Sequence, residues 1–176
     1  MSNNSYGPPT AYADVSAAVR ELGTAPDAHG PTLNTAVSSE AVEFVGRSLA
    51  DALRPHDATT VVFWNTSDEA VLGHVVAREL GAAVVRADEV EGVVALSADI
   101  PAGARVALLA TAWTHPMRLQ ALVTMARLVR VEIVAVASVL ASPERPEGDL
   151  PMVTLLAADA LTAEPAGHPE AGSGRA

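Results

Sequence analysis

The spacing of apolar residues changes period several times along the chain, and each change marks an element. Tyr12, Val15, Ala18, Val19 and Leu22 recur at helical spacing, with Asp14 in the first turn and Gly23 just beyond, which predicts a short amphipathic helix over residues 12–22. Two placements fit it: an arm against a neighbouring subunit, or a helix lying on its own domain. Residues 24–31 are rich in Pro, Gly, Ala and Asp and read as a linker. Val42, Val45, Leu49 and Leu53 then repeat at helical period behind Ser38 or Ser39 as cap, predicting a helix over 38–54 that Pro55 stops. Val61-Val62-Phe63-Trp64 has the length and composition of a buried strand. The turn Asn65-Thr66-Ser67 leads into a helix over 68–80, with Asp68 and Glu69 in its first turn and Gly81 at its end.

The second half continues the alternation. Residues 83–87, holding Val84 and Val85, predict a strand, and residues 88–104 an irregular stretch that forms either a hairpin or a flap. The run Val106 to Leu109 predicts another buried strand; Thr114-His115-Pro116 breaks the pattern, and Leu119, Leu122, Met125, Ala126 and Val129 line the apolar side of a helix over 117–130. Residues 132–140 are Val-rich and predict a central strand, 142–151 hold three prolines and predict a loop, and 152–156 predict a last strand. Strands alternating with helices predict an α/β fold: a three-layer arrangement in which a mostly parallel twisted sheet carries helices on both faces. The expected division is an N-terminal arm and linker over 1–36, partly disordered, an α/β domain over 37–158, and a disordered tail over 159–176.

Composition narrows the function. A chain of 176 residues suits one such domain, and with 49% hydrophobic but only 3% aromatic residues its core must be built from Ala, Val and Leu. The formal charge is −10 and all eleven basic residues are Arg, so the chain lacks the basic face of a nucleic-acid binder. The absence of Lys removes a Schiff-base nucleophile and a common phosphate ligand; the absence of Cys removes disulfides, thiolate metal sites and cysteine nucleophiles. No run approaches the roughly 20 apolar residues of a membrane span. Residues 1–9 lack the basic and apolar parts of a signal peptide, so a cytoplasmic protein is expected. Asp88, Glu89 and Glu91 form an acidic cluster without calcium-loop spacing or a His-rich pattern and read as a solvated loop; no metal and no cofactor are expected.

The candidate chemistry lies in residues 105–119. A strand, a tight turn and a helix N-terminus place unpaired N–H groups and the positive end of a helix dipole at the carboxyl edge of a sheet, where phosphates bind. Thr114, His115 and Arg118 are the candidate ligands: Arg118 can meet a phosphate bidentately, and His115 can donate to an anion. A sugar-phosphate enzyme of this layout would carry carboxylates at the strand end, where Ala110 and Thr111 stand. Trp64 and Trp113 fall at two predicted strand ends on the same sheet edge, and either fill a pocket there or offer an apolar patch to a partner or flat ligand.

Residues 42–140 resemble the type I phosphoribosyltransferases, particularly the orotate and adenine members. Leu72-Gly73-His74-Val75-Val76-Ala77-Arg78-Glu79-Leu80-Gly81 is similar to the family's Leu-Ala-x-x-Val-Ala-x-x-Leu-Gly helix; Val84-Val85-Arg86 resembles the next strand; Arg105 to Leu109, with Thr114 and Leu119, resembles the strand and phosphoribosyl-diphosphate loop; and Val134-Ala135-Val136-Ala137 resembles the strand after it. The resemblance implies the family's fold. It also implies two loop acids on the ribose hydroxyls and a Thr-Gly segment around the 5′-phosphate, and these positions are altered. Ala110 and Thr111 replace the acids, His115 a Thr, and Pro116 and Met117 the glycines, while Trp64 to Glu69 put two acids, Asp68 and Glu69, near the diphosphate. The expectation is a catalytically degenerate phosphoribosyltransferase-like protein acting through self-association, as a dimer or larger homo-oligomer, or through a protein partner. Two alternatives stand beside it: a non-catalytic sensor of a nucleotide or sugar phosphate at Thr114, His115 and Arg118, and an active transferase with acids taken from Asp68, Glu69 or Asp88.

Overall fold

The computed structural model describes residues 12–25, 32–141 and 148–157. Helix α1 (Val15–Leu22) starts where the Asp14 carboxylate accepts the Ala17 N–H at 2.8 Å, so Asp14 is the cap and not a first-turn residue; Gly23 closes the helix at φ +62°. Strands β1 (Thr24–Ala25) and β2 (Thr32–Leu33) pair antiparallel, so the expected linker begins and ends in a short ladder, its connection over 26–31 lying outside the described residues. Ala18, Val19, Leu22 and Leu33 are buried in the core. Of the two placements open to the first helix, the structure adopts the one on its own domain, and the core extends into segments expected to be arm and linker.

Helix α2 (Ser39–Leu53) is capped by Ser38, whose hydroxyl accepts the Ala41 N–H at 3.2 Å, and passes into a 3-10 turn at Arg54–His56 around Pro55. Strand β3 (Thr60–Trp64) is buried along its whole length. Helix α3 (Ser67–Leu80) is capped by Thr66 and ended by Gly81 in the left-handed conformation. The stretch expected as hairpin or flap is a hairpin: β4 (Ala83–Val90) runs into β5 (Val93–Leu96) through Glu91 and Gly92, both at positive φ. Strand β6 (Arg105–Ala112), helix α4 (Pro116–Leu128), β7 (Glu132–Leu140) and β8 (Met152–Leu156) complete the described order. The tail over 159–176, residues 1–11 and most of the loop expected over 142–151 lie outside the described residues.

The six-stranded sheet has the order β5-β4-β3-β6-β7-β8, parallel throughout except for the β4–β5 edge. Alternate residues of each strand serve opposite faces. Val61, Phe63, Ala107, Leu109, Ala135 and Ala137 pack with α1, α2 and α3; Val62, Trp64, Val106, Leu108, Ala110 and Val136 pack with α4. The result is the expected three-layer α/β architecture. No helix among the described residues is long and apolar enough to cross a membrane.

Gly73 in the middle of α3 breaks helix propensity, and packing gives the reason. A Cβ there would overlap the ring of Phe63, which is 1% exposed. Gly73→Ala is therefore expected to lower stability by about 1–3 kcal/mol in urea unfolding, and Phe63→Leu to recover part of that loss in the double variant. A Gly73→Ala protein as stable as wild type would contradict the packing account.

Candidate functional site

The chain passes from β3 to β4 on one side and returns as β6 on the other, so the point where strand order reverses lies between β3 and β6. The ladder between those strands ends at Val62 and Leu108, and beyond it their carboxyl ends flank a crevice. Every candidate residue from the sequence is placed around this edge.

Strand β6 continues through Ala112, which corrects the expectation that Ala110 and Thr111 form its end. The two sit inside the strand and face opposite sides. Ala110 packs on the α4 side. Thr111, 1% exposed, faces α3 and meets Glu69. Its N–H lies 2.9 and 2.8 Å from the two carboxylate oxygens, and its hydroxyl donates to Oε1 at 3.0 Å. Because the Thr111 proton is engaged there, the Thr32 hydroxyl, 2.7 Å away, is the donor to Thr111.

Glu69 is thus a buried acid and not an exposed charge facing a polyanion. Burial pushes its carboxyl up to about 7; the hydrogen bonds from Thr111 and the charge of Arg118 oppose that rise, and Asp68 adds to it. Asp68 also points inward, accepting the Thr35 N–H at 2.8 Å and its hydroxyl at 2.7 Å. Asp88 accepts from the Asn65 side chain at 3.1 Å. Of the three acids considered for catalysis, only Glu69 lines the crevice.

The indoles occupy most of the remaining space. Trp64 is 5% and Trp113 2% exposed. Trp64 donates from Nε1 to the Arg118 carbonyl at 3.3 Å, and the Arg118 guanidinium lies 4.5 Å from its ring centroid, a cation–π contact. Trp113 donates to the Ala137 carbonyl at 3.1 Å. Trp64, Trp113, Glu69, Ala110, His115 and Arg118 together leave a cavity of about 30 Å³, room for roughly two waters. Thr114 also borders it and is exposed; His115 occupies the N-cap of α4 without a side-chain capping bond, and Pro116 follows as the first helical residue.

Outside this cavity the surface opens. A pocket of about 270 Å³ is bounded by Trp64, Glu89, Val94, His115, Met117 and Arg118. It shares Gly92, Val94, Met117 and Ala121 with an apolar groove of about 430 Å³ between the hairpin and α4. Nothing in the periodicity announced this groove, which depends on how the hairpin stands beside α4. Among the described residues no three His, Asp or Glu side chains gather as a metal site.

No family profile and no curated protein sequence matches the chain. Solved structures do. Adenine phosphoribosyltransferase from Leishmania tarentolae aligns with a TM-score of 0.67 at 15% identity, over 84% of this chain and 89% of that one. Adenine phosphoribosyltransferase from Trypanosoma brucei, solved with AMP, pyrophosphate and ribose-5-phosphate, aligns with a TM-score of 0.64 at 16% identity, over 99% of this chain and 89% of that one. A hypothetical protein from Neisseria gonorrhoeae with bound ppGpp aligns at 0.51 and 11% identity, over 68% of this chain and 80% of that one. The chain has the type I phosphoribosyltransferase fold, as the resemblance implied.

The Glu69 environment has a pH signature. Its folded value of about 7 lies above the ordinary 4.5, so the folded state holds the proton longer and the group's stabilising contribution is full below pH 4.5 and lost as pH rises to about 7. The loss is on the order of 3 kcal/mol. Urea unfolding across this window is expected to show wild type losing that stability relative to Glu69→Gln, whereas parallel curves would contradict the assignment.

Proposed function

We propose that this phosphoribosyltransferase-fold protein does not transfer a phosphoribosyl group and acts by protein association. The filled crevice carries the reading. Between the strand ends the chain's own side chains leave about 30 Å³, against the roughly 300 Å³ or more of an ordinary ligand pocket, and the 270 Å³ pocket lies outside them. Ala110 offers no carboxylate, and Thr111 is engaged by Glu69. Pro116 contributes no N–H to a phosphate cradle, and Met117 carries a side chain where close backbone approach favours Gly. The apolar groove beside α4 supports association.

Two specific observations favour a second reading, a non-catalytic sensor of a phosphorylated nucleotide or sugar. The N-terminus of α4 opens on the 270 Å³ pocket with His115 and Arg118 on its wall, and one structural neighbour was solved with ppGpp bound. Calorimetric titration with nucleoside monophosphates and guanosine tetraphosphate separates the readings: absence of binding at about millimolar concentration sinks the sensor. A third reading, transfer using a relocated acid, falls to Glu69 alone, and both its oxygens already accept from Thr111.

Incubation with phosphoribosyl diphosphate, Mg²⁺ and a panel of nucleobases is expected to release no pyrophosphate above a protein-free blank. Base-dependent release that saturates with substrate would overturn the proposal.

A further inference from the structure

Helix α4 is apolar on two sides. Leu119, Leu122, Val123 and Ala126 are buried against the sheet. Met117, Ala121, Met125 and Leu128, spaced at i, i+4, i+8 and i+11, form one wall of the outer groove, and Gly92, Val93 and Val94 of the hairpin form the other. Gln120 and Thr124 are its polar lining residues, and no charged side chain among the described residues lines it. A charge seated in the groove itself would lose its water without gaining a partner, so the part of any ligand that lies there is apolar. Its 430 Å³, at about 30 Å³ for each water-sized group, has room for a chain of roughly a dozen carbons. The two methionines suit such a chain, because their unbranched side chains adapt to a flexible partner.

One end of the groove is polar. Through Gly92, Val94, Met117 and Ala121 it runs into the 270 Å³ pocket, whose wall carries three titratable side chains: Glu89 from the hairpin, and His115 and Arg118 from the start of α4. These are not equivalent. Arg118 is half-buried with its guanidinium 4.5 Å from the Trp64 ring centroid, whereas Glu89 is exposed. Water screens the acid, while the indole beside the guanidinium keeps water off one side and strengthens its attraction for an anion. Glu69 reaches the same guanidinium from the inner cavity, where burial favours its neutral form. His115 adds a hydrogen-bond donor. The whole cleft is therefore apolar along most of its length and cationic at one end.

We propose that this cleft binds one molecule of a free medium-chain carboxylic acid, its apolar chain in the groove between α4 and the hairpin and its carboxylate against Arg118 and His115. The proposal goes beyond the association reading and does not rest on it. It differs equally from the phosphate sensor: burial of the chain supplies the binding energy, and a nucleotide or sugar phosphate has no apolar chain to place there.

Calorimetric titration of the full chain with straight-chain acids from hexanoate to tetradecanoate, each kept below the concentration at which it forms micelles, tests this. The dissociation constant is expected to fall about fourfold for each added methylene, and the fall to stop near about twelve carbons, where the groove is full. Decanol, which has the chain without the charge, is expected to bind at least about tenfold more weakly than decanoate. Arg118→Gln should remove that difference, and Glu89→Gln should tighten decanoate by removing a like charge from the mouth. Thr124→Glu and Leu128→Glu each put a charge into the groove at an exposed position, and should weaken decanoate at least about tenfold with unchanged circular dichroism. Absence of saturable decanoate and dodecanoate binding at about millimolar concentration overturns the proposal. So does an affinity that rises with chain length without limit, or binding that ignores the substitutions at Leu128 and Arg118, since either marks unspecific apolar contact. Decanol binding as tightly as decanoate overturns the carboxylate as the recognised group. The pyrophosphate assay is independent of all these outcomes, so the association reading stands or falls separately.

Discussion

A carboxyl group taken out of water at the end of a parallel sheet must be met by donors, and the meeting of Glu69 with Thr111 organises everything around it. The Thr111 N–H and hydroxyl both point at one carboxylate, and Thr32 donates from behind. Three elements distant in sequence, β2, α3 and β6, are tied at one point. The contact fixes where α3 begins relative to β6, keeps the crevice between β3 and β6 narrow, and brings the Glu69 carboxyl within reach of the Arg118 charge. Arg118 in turn lies over Trp64, whose indole donates to the Arg118 carbonyl. The sheet edge is closed by reciprocal contacts among side chains of this chain.

That closure separates fold from activity. The type I phosphoribosyltransferase fold supplies a sheet whose strand order reverses beside a helix N-terminus, a geometry suited to phosphate. Use of the geometry depends on what stands at the strand ends, and fold alone does not decide it. Here an acid arrives from α3, from outside the strand, and it is held by hydrogen bonds that a substrate would have to replace. The surface next to the closed crevice is an apolar groove, so the helix whose N-terminus borders the crevice also leaves Met117 and Leu128 exposed on its outer side.

The fold was legible in the sequence because periodicity survives burial: β7 and β8 match the predicted segments, and α2 and α3 fall within a residue or two of theirs. Two-residue strands such as β1 and β2 are too short to show a period, so residues 24–31 looked like a linker. The continuation of β6 to Ala112 was obscured because Thr111 looks polar until its partner is known. Asp68 and Glu69 stand in the first turn of α3 as their spacing predicts, but acids are common there for helix-dipole reasons alone, so their position did not mark Glu69 as buried. A signal for the true arrangement existed, since a Thr inside an otherwise apolar strand needs a hydrogen-bond partner. Which residue supplied it depended on a crossing of α3 over β6 that local sequence does not encode. The groove was hidden for a similar reason: Met117 and Leu128 acquire meaning only beside Val93 of the hairpin.

The crevice between β3 and β6 is filled by its own side chains. The chain has two tryptophans, and both line that crevice, so intrinsic fluorescence reports on it without a label. Titration with phosphoribosyl diphosphate and Mg²⁺ to about millimolar concentration should leave emission intensity and wavelength unchanged, because the indoles and Arg118 keep the ligand out. A saturable change in emission, abolished by Arg118→Ala, would contradict it.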